Sequence, residues 1–556
     1  MNRTFDYIVV GSGSAGAALA ARLSEAPDIS VLLIEAGPSD RHPFQLMPLA
    51  FTKLASGAFG TWQYLSEAEP GLGGRRLVLP RGRVLGGTSS INAMIAIRGH
   101  RRDYDRWSEQ GLEGWSYAEV LPYFRRLEAS WRGTGEFHGG EGPVSISPME
   151  GPDLMWEPLL EAAQAEGVAH CEDANGASQD GVSRMESTVG GGRRSSTARA
   201  YLHPAMRRPN MTIATGALAN RIVVERGRAC AVEFRQRGKD RLVRAEREIV
   251  VSGGAYNSPQ LLMLSGIGPA GELREAGIEP LHDLPGVGRN LADHPNIMNE
   301  YELLGDAGLT RHLRIDRAAA SALRWFANGS GPFAHTGTSA NVFLRSREGL
   351  DQPDIQMMCL PVSNAAGLWV PGLQRKPVSR LSVRTGYLHP KSRGWVKLRS
   401  ADPRDPPRIL TNMFAEPADL DAMVRAIELS RSIYAQSPLR DLIRRESAPG
   451  SALQGTEELK RHIRHHAGLR SHPVGTCRMG TGEDAVVDAA LRVCGIEGLR
   501  IADASIMPDL PGGNTNLPAI MIGEKAADLI LGRSCPAANI PSAAGARDMA
   551  IDHRDG

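Results

Sequence analysis

The sequence predicts a globular α/β protein built from more than one domain. Its 556 residues, of which 42% are hydrophobic and 23% charged, are enough to bury a large core. Residues 5–35 follow a strand-helix-strand pattern, and the alternating stretches DIQMMCLPV and RGWVKLRS indicate further strands later in the chain.

Charge and cysteine content exclude several classes of protein. The formal net charge is +2, which gives no polycationic field to favour nucleic acid as a partner. The six cysteines form no C-x-x-C pair, which argues against a disulfide framework or a zinc site. The chain opens on a strand instead of a signal peptide, and it has no run of the ~18 apolar residues that a membrane span needs. We therefore expect a cytoplasmic protein with no integral membrane segment.

A histidine-rich stretch, RHIRHHAGLRSH, raises the question of a metal site. At helical spacing His462, His465 and His466 share one face, but no nearby carboxylate or cysteine completes a ligand set. We predict a solvated helix and no metal site there.

The N-terminal unit has the pattern of a dinucleotide-binding motif. A buried-type strand at 7–10 leads into the loop GSGSAG, an Ala- and Leu-rich helix and a second strand at 31–34. That strand ends at Glu35, about 20 residues beyond the first glycine, where an acid accepts hydrogen bonds from a ribose diol. Because an acid there would repel a 2′-phosphate, NAD or FAD is the predicted ligand.

Each glycine of this loop has a separate predicted role. Gly11 permits the tight turn, Gly13 lets the backbone approach a pyrophosphate, and Gly16 lets the helix pack closely on the strand. The helix N-terminus adds free N–H groups and a partial positive charge for the same pyrophosphate.

A second glycine-rich stretch, PRGRVLGGTSSINAMIAIRG, favours FAD over NAD. Small hydroxyl residues and Asn92 follow its paired glycines, and they are too polar and too small for an ordinary core strand. They suit an extended loop that packs against a flat, polar ligand, although a surface loop is the alternative for this stretch alone. A third stretch, SGGAYNSPQLLMLSGIGP, combines a strand end with an apolar helix.

With these motifs the sequence resembles the glucose-methanol-choline (GMC) family of FAD-dependent alcohol oxidoreductases. The resemblance spans nearly the whole chain and rests on five motifs in the family's order, namely the N-terminal unit, GRVLGGTSSIN, GAYNSPQLLMLSGIG, HPVGTCRMG and LRIADASIMPDLPGGNTNLPAIMIGEKAADLI. The sequence is similar to bacterial choline dehydrogenase-like, alcohol dehydrogenase-like and aryl-alcohol or hydroxymethylfurfural oxidase-like members, which the motifs do not separate.

The resemblance implies a fold of two discontinuous domains. The first is an FAD-binding Rossmann-like α/β domain of the GMC or p-hydroxybenzoate hydroxylase type, and the second is an α+β substrate domain built on an antiparallel sheet. The implied division is FAD-binding domain at 1–150, 201–300 and 466–535, mixed segment at 151–200, substrate domain at 301–465, and flexible tail at 536–556.

The resemblance also implies a general base at His472. Alcohol oxidation removes a hydride, here to flavin N5, and a proton, and histidine suits the proton because its unperturbed pKa is about 6.5. Asn514 takes the family's partner position, where its amide can hydrogen-bond the substrate oxygen but cannot exchange a proton. A helix N-cap ahead of Leu517 is the alternative role for Asn514, and both roles could hold at once.

The matching motifs imply the cofactor contacts as well. Relatives that attach the flavin covalently use a histidine just after the paired serines, where this chain has Ile91, so we expect non-covalent FAD. The implied FAD contacts are Gly11, Ser12, Gly13, Ser14, Gly16, Glu35, Ala36, Arg83, Gly87, Thr88, Asn92, Ala93, Met94, Ile95, Ala219, Asp503, Ala504, Asn514 and Thr515.

Two departures from the family's pattern bear on the substrate. Arg470 and Ser471 stand where relatives often have a small or apolar residue and an aromatic one. If both face the pocket, the site suits a bulky or polar alcohol, with a carboxylate or another acceptor near Arg470. The alternative is that Arg470 pairs with a local acid.

Choline is disfavoured as the substrate. A quaternary ammonium is held by an aromatic cage, and only 5% of this chain is aromatic. Trp62, Trp369 and Tyr387 are the candidate aromatics, but nothing in their spacing brings them together, and Arg470 would oppose the cation.

Three classes of function follow from these residues. The expected one is FAD-dependent oxidation of a primary alcohol, aryl or polar and bulky, by a dehydrogenase or an oxidase that passes electrons to oxygen or another acceptor. The second is a hydroxynitrile lyase-like flavoprotein of the same fold, since some members keep FAD and use the same histidine to cleave cyanohydrins. A non-catalytic flavin-binding protein is the third, and His472 together with Asn514 disfavours it.

Overall fold

The computed structural model describes residues 4–57, 59–363 and 366–540. Most of the predicted tail at 536–556, from residue 541 onward, lies outside these residues. Two large sheets and the helices packed on them make up the described chain, and the predicted α/β class with a second, antiparallel sheet is confirmed.

The strands of these and smaller sheets are, in chain order, β1 Thr4–Val10, β2 Val31–Glu35, β3 Thr61–Leu65, β4 Val78–Gly82, β5 Glu128–Ser130, β6 Val144–Pro148, β7 Gly181–Arg184, β8 Glu186–Ser187, β9 Val189–Gly190, β10 Arg193–Arg194, β11 Met211–Thr215, β12 Ala217–Glu225, β13 Arg228–Gln236, β14 Lys239–Val251, β15 Ile267–Gly268, β16 His282–Asp283, β17 Pro295–Leu303, β18 Ala340–Leu344, β19 Ile355–Leu360, β20 Arg380–Tyr387, β21 Trp395–Lys397, β22 Arg408–Leu410, β23 Ile443–Ala448, β24 Gly468–Leu469 and β25 Leu499–Ile501.

The α-helices are α1 Ser14–Leu23, α2 Pro43–Leu46, α3 Phe51–Ala55, α4 Arg101–Glu109, α5 Tyr117–Leu127, α6 Trp156–Ala165, α7 His203–Ala205, α8 Gly254–Leu264, α9 Ala270–Glu275, α10 Ile315–Asn328, α11 Pro417–Tyr434, α12 Leu439–Leu442, α13 Thr456–His466 and α14 Asn516–Leu531.

The first large sheet carries the N-terminal motif at its centre. Its parallel part has the order β11-β2-β1-β14-β25, and β14 continues into antiparallel pairing with β13 and then β12. The apolar strand β1 is buried on both faces, as expected for a parallel strand covered by helices. The carboxyl ends of β1, β2, β14 and β25 therefore meet at one edge of the sheet.

The second large sheet is antiparallel throughout, with the order β23-β17-β20-β19-β18-β7 and β24 paired to β17. Its side chains alternate between two faces. In β19, Ile355, Met357 and Cys359 pack in a core cluster with residues of α6 and α11, while Met358 and Leu360 line a cavity on the opposite face. The sheet thus presents one face to helices and the other to the cavity.

Helix α14 joins the end of the chain to its beginning. It packs along α1, and a Cβ at Gly523 would lie 2.3 Å from the carbonyl oxygen of Ala15. Ser14 donates a hydrogen bond to Asn516 Oδ1 at 2.8 Å, and Arg22 pairs with the buried Glu524 at 2.9 Å. Because only glycine permits this approach, the two helices fix each other's position.

One sequence expectation differs from the structure. The stretch RGWVKLRS forms a strand, β21, but it pairs with β22 in a separate two-stranded sheet and does not extend the second large sheet. Alternation shows that a segment is extended, but it does not identify the partner strand, which depends on contacts remote in sequence.

Candidate active site

A cavity of about 690 Å³ lies between the two large sheets. One end, the nucleotide end, is lined by Gly11, Gly13, Glu35 and Ala219, at the carboxyl edge of the parallel strands. The other, the reaction end, is lined by residues that include Arg81, Met358, Arg384, Arg470, His472 and Asn514. A crevice outside the carboxyl ends of parallel strands is the usual ligand position in open α/β sheets.

The glycine loop has the geometry that the sequence predicts. Gly11 has a φ of +104°, and a Cβ there would lie 2.3 Å from the carbonyl oxygen of Ser252. A Cβ on Gly16 would lie 2.0 Å from the carbonyl oxygen of Gly11, so this glycine lets α1 approach the strand. Gly13 differs from both, because a Cβ there would meet no protein atom within 4 Å. Its open side faces the cavity.

Glu35 is buried at the end of β2 with its carboxylate held by the loop. Oε2 accepts from Ser12 Oγ at 2.6 Å and from Ser12 N at 3.1 Å, and Oε1 accepts from Gly37 N at 2.7 Å. Burial raises the pKa of Glu35, and these hydrogen bonds oppose the rise. The carboxylate can accept additional hydrogen bonds from a ligand in the cavity that it lines.

The second glycine-rich stretch packs directly on the first. Gly87 has a φ of +54°, and a Cβ there would lie 2.6 Å from the Cα of Gly13. Asn92 Oδ1 accepts from Met94 N at 3.0 Å and from Arg194 at 2.9 Å, which fixes this loop against the cavity. The two motifs, about 70 residues apart in sequence, form one wall.

Most of the predicted cofactor residues line this cavity. They are Gly11, Gly13, Ser14, Glu35, Ala36, Gly87, Thr88, Asn92, Ala93, Met94, Ile95, Ala219, Asp503, Ala504, Asn514 and Thr515. Ser12, Gly16 and Arg83 do not. Ser12 points to Glu35, Gly16 faces Gly11, and the Arg83 guanidinium lies 4.3 Å from the ring centre of Trp62. These three residues contact residues of the cavity wall without lining the cavity themselves.

His472 is buried at the reaction end, with 9% of its surface exposed, and both ring nitrogens have partners. Nε2 lies 3.1 Å from Asn514 Nδ2, and Nδ1 lies 2.9 Å from Nδ1 of His294. Its backbone N–H donates to Asp293 Oδ1 at 2.8 Å. The predicted pair of His472 and Asn514 is therefore in contact, and two further side chains hold the histidine from behind.

A chain of hydrogen bonds fixes which nitrogen of His472 carries the proton. Arg470 Nη1 can only donate, so the Gln356 atom that it contacts is the amide oxygen. The Gln356 amide nitrogen then lies 3.4 Å from Asn514 Oδ1, which turns the Asn514 Nδ2 donor toward His472 Nε2. Nε2 is consequently an acceptor, and the proton on Nδ1 points to His294.

The electrostatic environment keeps His472 neutral. Burial is the largest cause that lowers its pKa well below the ordinary value, and Arg470, Arg81 and Arg384 lower it further. Burial and the neighbouring His472 likewise lower the pKa of His294. A neutral imidazole with an unprotonated Nε2 can accept a proton from a hydroxyl that takes the place of the Asn514 contact.

The pKa of Asp293 is shifted upward, in contrast to the lowered pKa of His472. Burial raises its pKa to about 7, although the backbone N–H of His472 and the charge of Arg81 oppose the rise. Its Oδ2 atom is buried with no hydrogen-bond partner in the part of the chain that the structure describes. Asp293 is therefore only partly ionised behind His472 at neutral pH.

Arg470 lines the cavity, but it does not pair with an acid. Its Nη1 donates to the Gln356 amide oxygen, and its Nη2 donates to the carbonyl oxygens of Gln356 and Arg384 at 2.6 and 2.9 Å. Ser471 also lines the cavity, with a φ of +64°, and its carbonyl accepts from Arg81 at 2.9 Å. The pairing with a local acid that the sequence left open is absent among the described residues, because amide and carbonyl oxygens take its place.

Asn514 is not the N-cap of α14. The helix begins at Asn516, Thr515 occupies the cap position, and no side-chain hydrogen bond caps the helix. The Asn514 amide is directed instead to His472 and Gln356. The alternative capping role is therefore wrong, and the amide is free to act in the cavity.

The candidate aromatic residues for a cation cage are not brought together. Trp62 lines the cavity, where it is covered by Arg83. Trp369 and Tyr387 do not line it. Tyr387 packs with core clusters, and Trp369 lies beside Arg314.

Four residues of the site were not predicted from the sequence, namely Asp293, His294, Gln356 and Arg384. Gln356 could have been identified from the sequence, because it is the one polar residue inside the apolar strand β19. The alternation of RLSVRTGY could have assigned Arg384 to one face of β20, but not to the cavity. Nothing local distinguishes Asp293 or His294 from other polar residues before a proline.

Comparisons with known proteins agree with this arrangement. Two family models, both described as GMC oxidoreductase, match residues 5–296 and 390–523. The chain is 44% identical over 530 residues to a protein of Rhizobium johnstonii described as oxygen-dependent choline dehydrogenase, covering 95% of this chain and 96% of that one. It is 43% identical to a protein of Brucella anthropi with the same description and the same coverage.

Solved structures resemble it over nearly the whole length. Pyridoxine 4-oxidase from Mesorbium loti has a TM-score of 0.85 and 32% identity, covering 96% of this chain and 100% of its own. A formate oxidase from Aspergillus oryzae has a TM-score of 0.89 and 29% identity, covering 95% of this chain and 98% of its own.

In the described residues, no helix is both long and apolar enough to cross a membrane.

Proposed function

The chain belongs to the GMC oxidoreductase family, and on this premise we propose that it oxidises a primary alcohol to the aldehyde with His472 as the general base. It is an FAD-dependent oxidoreductase that acts on CH–OH groups. The relatives named above are described as oxidases and dehydrogenases, so the lyase reading has no support from them.

The residues at the nucleotide end fit FAD. The open side of Gly13 leaves space where a pyrophosphate would approach, Glu35 ends β2 at the ribose position, and the N-terminus of α1 supplies donors. Bound FAD supplies the acceptor for the hydride that leaves the alcohol carbon. Ile91 occupies the position of the covalent histidine, so acid precipitation is expected to leave the flavin in the supernatant.

His472 and Asn514 supply the acid-base half of the reaction. The lone pair on His472 Nε2 accepts the hydroxyl proton, and the hydride leaves the adjacent carbon with its electron pair. The Asn514 Nδ2 donor, 3.1 Å from that nitrogen, orients the hydroxyl oxygen. The observation that carries this proposal is the position of His472 and Asn514, which line the cavity together with His472 Nε2 3.1 Å from Asn514 Nδ2.

The test is an anaerobic titration of the purified holoprotein with a primary aryl alcohol, followed at the visible band of the flavin. Bleaching is the expected result, and admission of air then separates an oxidase, which regains its colour fast with formation of peroxide, from a dehydrogenase, which regains it slowly. A coloured protein that no alcohol of a broad panel bleaches would contradict the proposal.

Choline is the second candidate substrate, because relatives at 44% identity are described as choline dehydrogenases. The charges at the reaction end oppose it, since Arg81, Arg384 and Arg470 all line that end. Flavin reduction by choline at a rate above that of neutral alcohols would establish it.

We further propose that the two large sheets are the centres of the FAD-binding and substrate domains. The strands of the first come from residues 4–35, 211–251 and 499–501, and those of the second fall between 181 and 469. The cytoplasmic location stays a prediction.

A further inference from the structure

The reaction end carries more positive charge than proton transfer to His472 requires. Arg81, Arg384 and Arg470 line it together, and none of the three forms an ion pair with a described residue. Asp293, which accepts from the backbone N–H of His472, has a pKa raised to about 7 by burial. A cluster of cations that lines a cavity without an ion-pair partner needs an explanation.

Two of these arginines are used by the protein itself. Arg470 donates to Gln356 and to two backbone carbonyls, as described above. Arg81 donates to the carbonyl oxygen of Pro80 at 2.6 Å and to that of Ser471 at 2.9 Å. These two side chains hold the loop that carries His472 and the amide that orients Asn514.

Arg384 differs from the other two. Its guanidinium makes no hydrogen bond or ion pair with any residue in the ranges 4–57, 59–363 and 366–540, whereas an Nε atom that is buried without a partner is common to Arg384 and Arg470. The side chain is half-buried, and burial lowers its pKa. Its charge nevertheless reaches the catalytic base, because it contributes to the lowered pKa of His472.

The register of the second sheet directs Arg384 into the cavity. Arg384 pairs with Met358 on one side and with Met298 on the other, and paired residues project from the same face. Met358 lines the cavity, while Leu381 and Val383 on the other face pack in the core cluster with α6 and α11. Arg384 is thus an unpaired cation on the wall that faces His472.

We propose that Arg384 binds an anionic group, a carboxylate, carried by the alcohol that His472 deprotonates. The planar guanidinium presents two parallel N–H donors that match the two oxygens of a carboxylate, and an ion pair formed away from water is stronger than one at the surface. This inference rests on the proposed function, and it makes the substrate a hydroxy acid. The sequence predicted a carboxylate or another acceptor near Arg470. The structure points instead to Arg384, whose guanidinium has no hydrogen-bond partner among the described residues.

The first experiment compares two alcohols that differ in one charge. They are para-(hydroxymethyl)benzoate and its neutral methyl ester, each used to reduce the flavin of the holoprotein. In the Arg384→Met variant, kcat/KM for the acid is expected to fall about 10- to 100-fold relative to the ester. Arg384→Lys is expected to retain part of the preference, because it keeps the charge but loses the paired donors.

The matched control is Arg380→Met, on the same strand and the same face. Arg380 pairs with Glu300 and Glu302 at 3.2 and 3.3 Å and does not line the cavity, so its loss should leave the ratio of acid to ester unchanged. An equal fall for acid and ester in Arg384→Met would overturn the inference. So would a loss of bound FAD in that variant, since Arg384 would then serve the cofactor.

A binding measurement separates this inference from the proposed function. Benzoate, which has no hydroxyl group to oxidise, is titrated into the holoprotein by calorimetry. We expect Arg384→Met to weaken its binding about 10-fold or more, and Arg380→Met to leave it unchanged. If no alcohol reduces the flavin but benzoate binds through Arg384, only the proposed function fails. If neutral alcohols reduce the flavin but benzoate binding is the same in all variants, only the Arg384 inference fails.

Discussion

The two ends of the cavity are built in different ways. The nucleotide end consists largely of backbone and glycine, and its parts come from contiguous motifs such as Gly11 to Gly16 and the strand end at Glu35. The reaction end is lined by side chains from β4, β19, β20, the loop before α14 and the segment that contains His472, among them three arginines. The nucleotide end tolerates little change in backbone shape, whereas the arrangement of the reaction end depends on specific pairs of hydrogen-bond donors and acceptors.

The largest effect is expected from filling the open side of Gly13. Gly13→Val places a branched side chain at a position whose Cβ would meet no protein atom within 4 Å, so the fold should persist while FAD and all activity are lost. The flavin absorbance of the purified protein and its circular dichroism report the two properties separately.

Gly16→Ala is the matched control for that change. Its Cβ would lie 2.0 Å from the carbonyl oxygen of Gly11, so it should lower the thermal stability of the protein itself. If Gly13→Val unfolds the protein as Gly16→Ala is expected to do, the two glycines do not differ as described.

The next effect is expected at the base. His472→Ala removes the proton acceptor, and kcat should fall about 10²- to 10⁴-fold while FAD remains bound. Anaerobic flavin reduction in single turnover measures the step directly. Reduction at the wild-type rate would exclude His472 as the base.

A smaller effect is expected from the amide that orients Asn514. Gln356→Glu keeps an acceptor for Arg470 but loses the donor to Asn514, and kcat should fall about 3- to 10-fold, the size of one neutral hydrogen bond. Gln356→Leu removes both contacts and should cost more. Equal rates in the wild type and Gln356→Glu would show that Asn514 is oriented by other means.

The smallest effect is a shift in the pH profile. The reaction needs neutral His472, and burial with Arg470, Arg81 and Arg384 lowers its pKa, so protonation should reduce kcat/KM only below the ordinary value of about 6.5. Arg384→Met removes one of these charges and should move the acid limb to higher pH. A wild-type limb at or above pH 6.5 would contradict the lowered pKa.

The contrast between the nucleotide end and the reaction end also explains which parts of the site the sequence predicts. The glycine loop, Glu35 and the second glycine-rich stretch line the cavity as expected because each is a local pattern with one backbone geometry, and the motif HPVGTCRMG singled out His472, which lines it too. The sequence did not predict Arg384, His294 and Asp293, because their roles depend on strand register and on contacts between distant segments. The sequence left open whether Arg470 faces the cavity; Arg470 does line it, and its partners are amide and carbonyl oxygens supplied by β19 and β20.

The contact between α14 and α1 has a consequence for the synthesis of the protein. The glycine loop leaves the ribosome about 500 residues before Asn516, Gly523 and Glu524, which support its helix. Thr515 and Asn514, which line the same cavity, arrive at the same late stage. A nascent chain therefore cannot complete its flavin site during most of translation, and a transcript truncated before α14 should yield a colourless product.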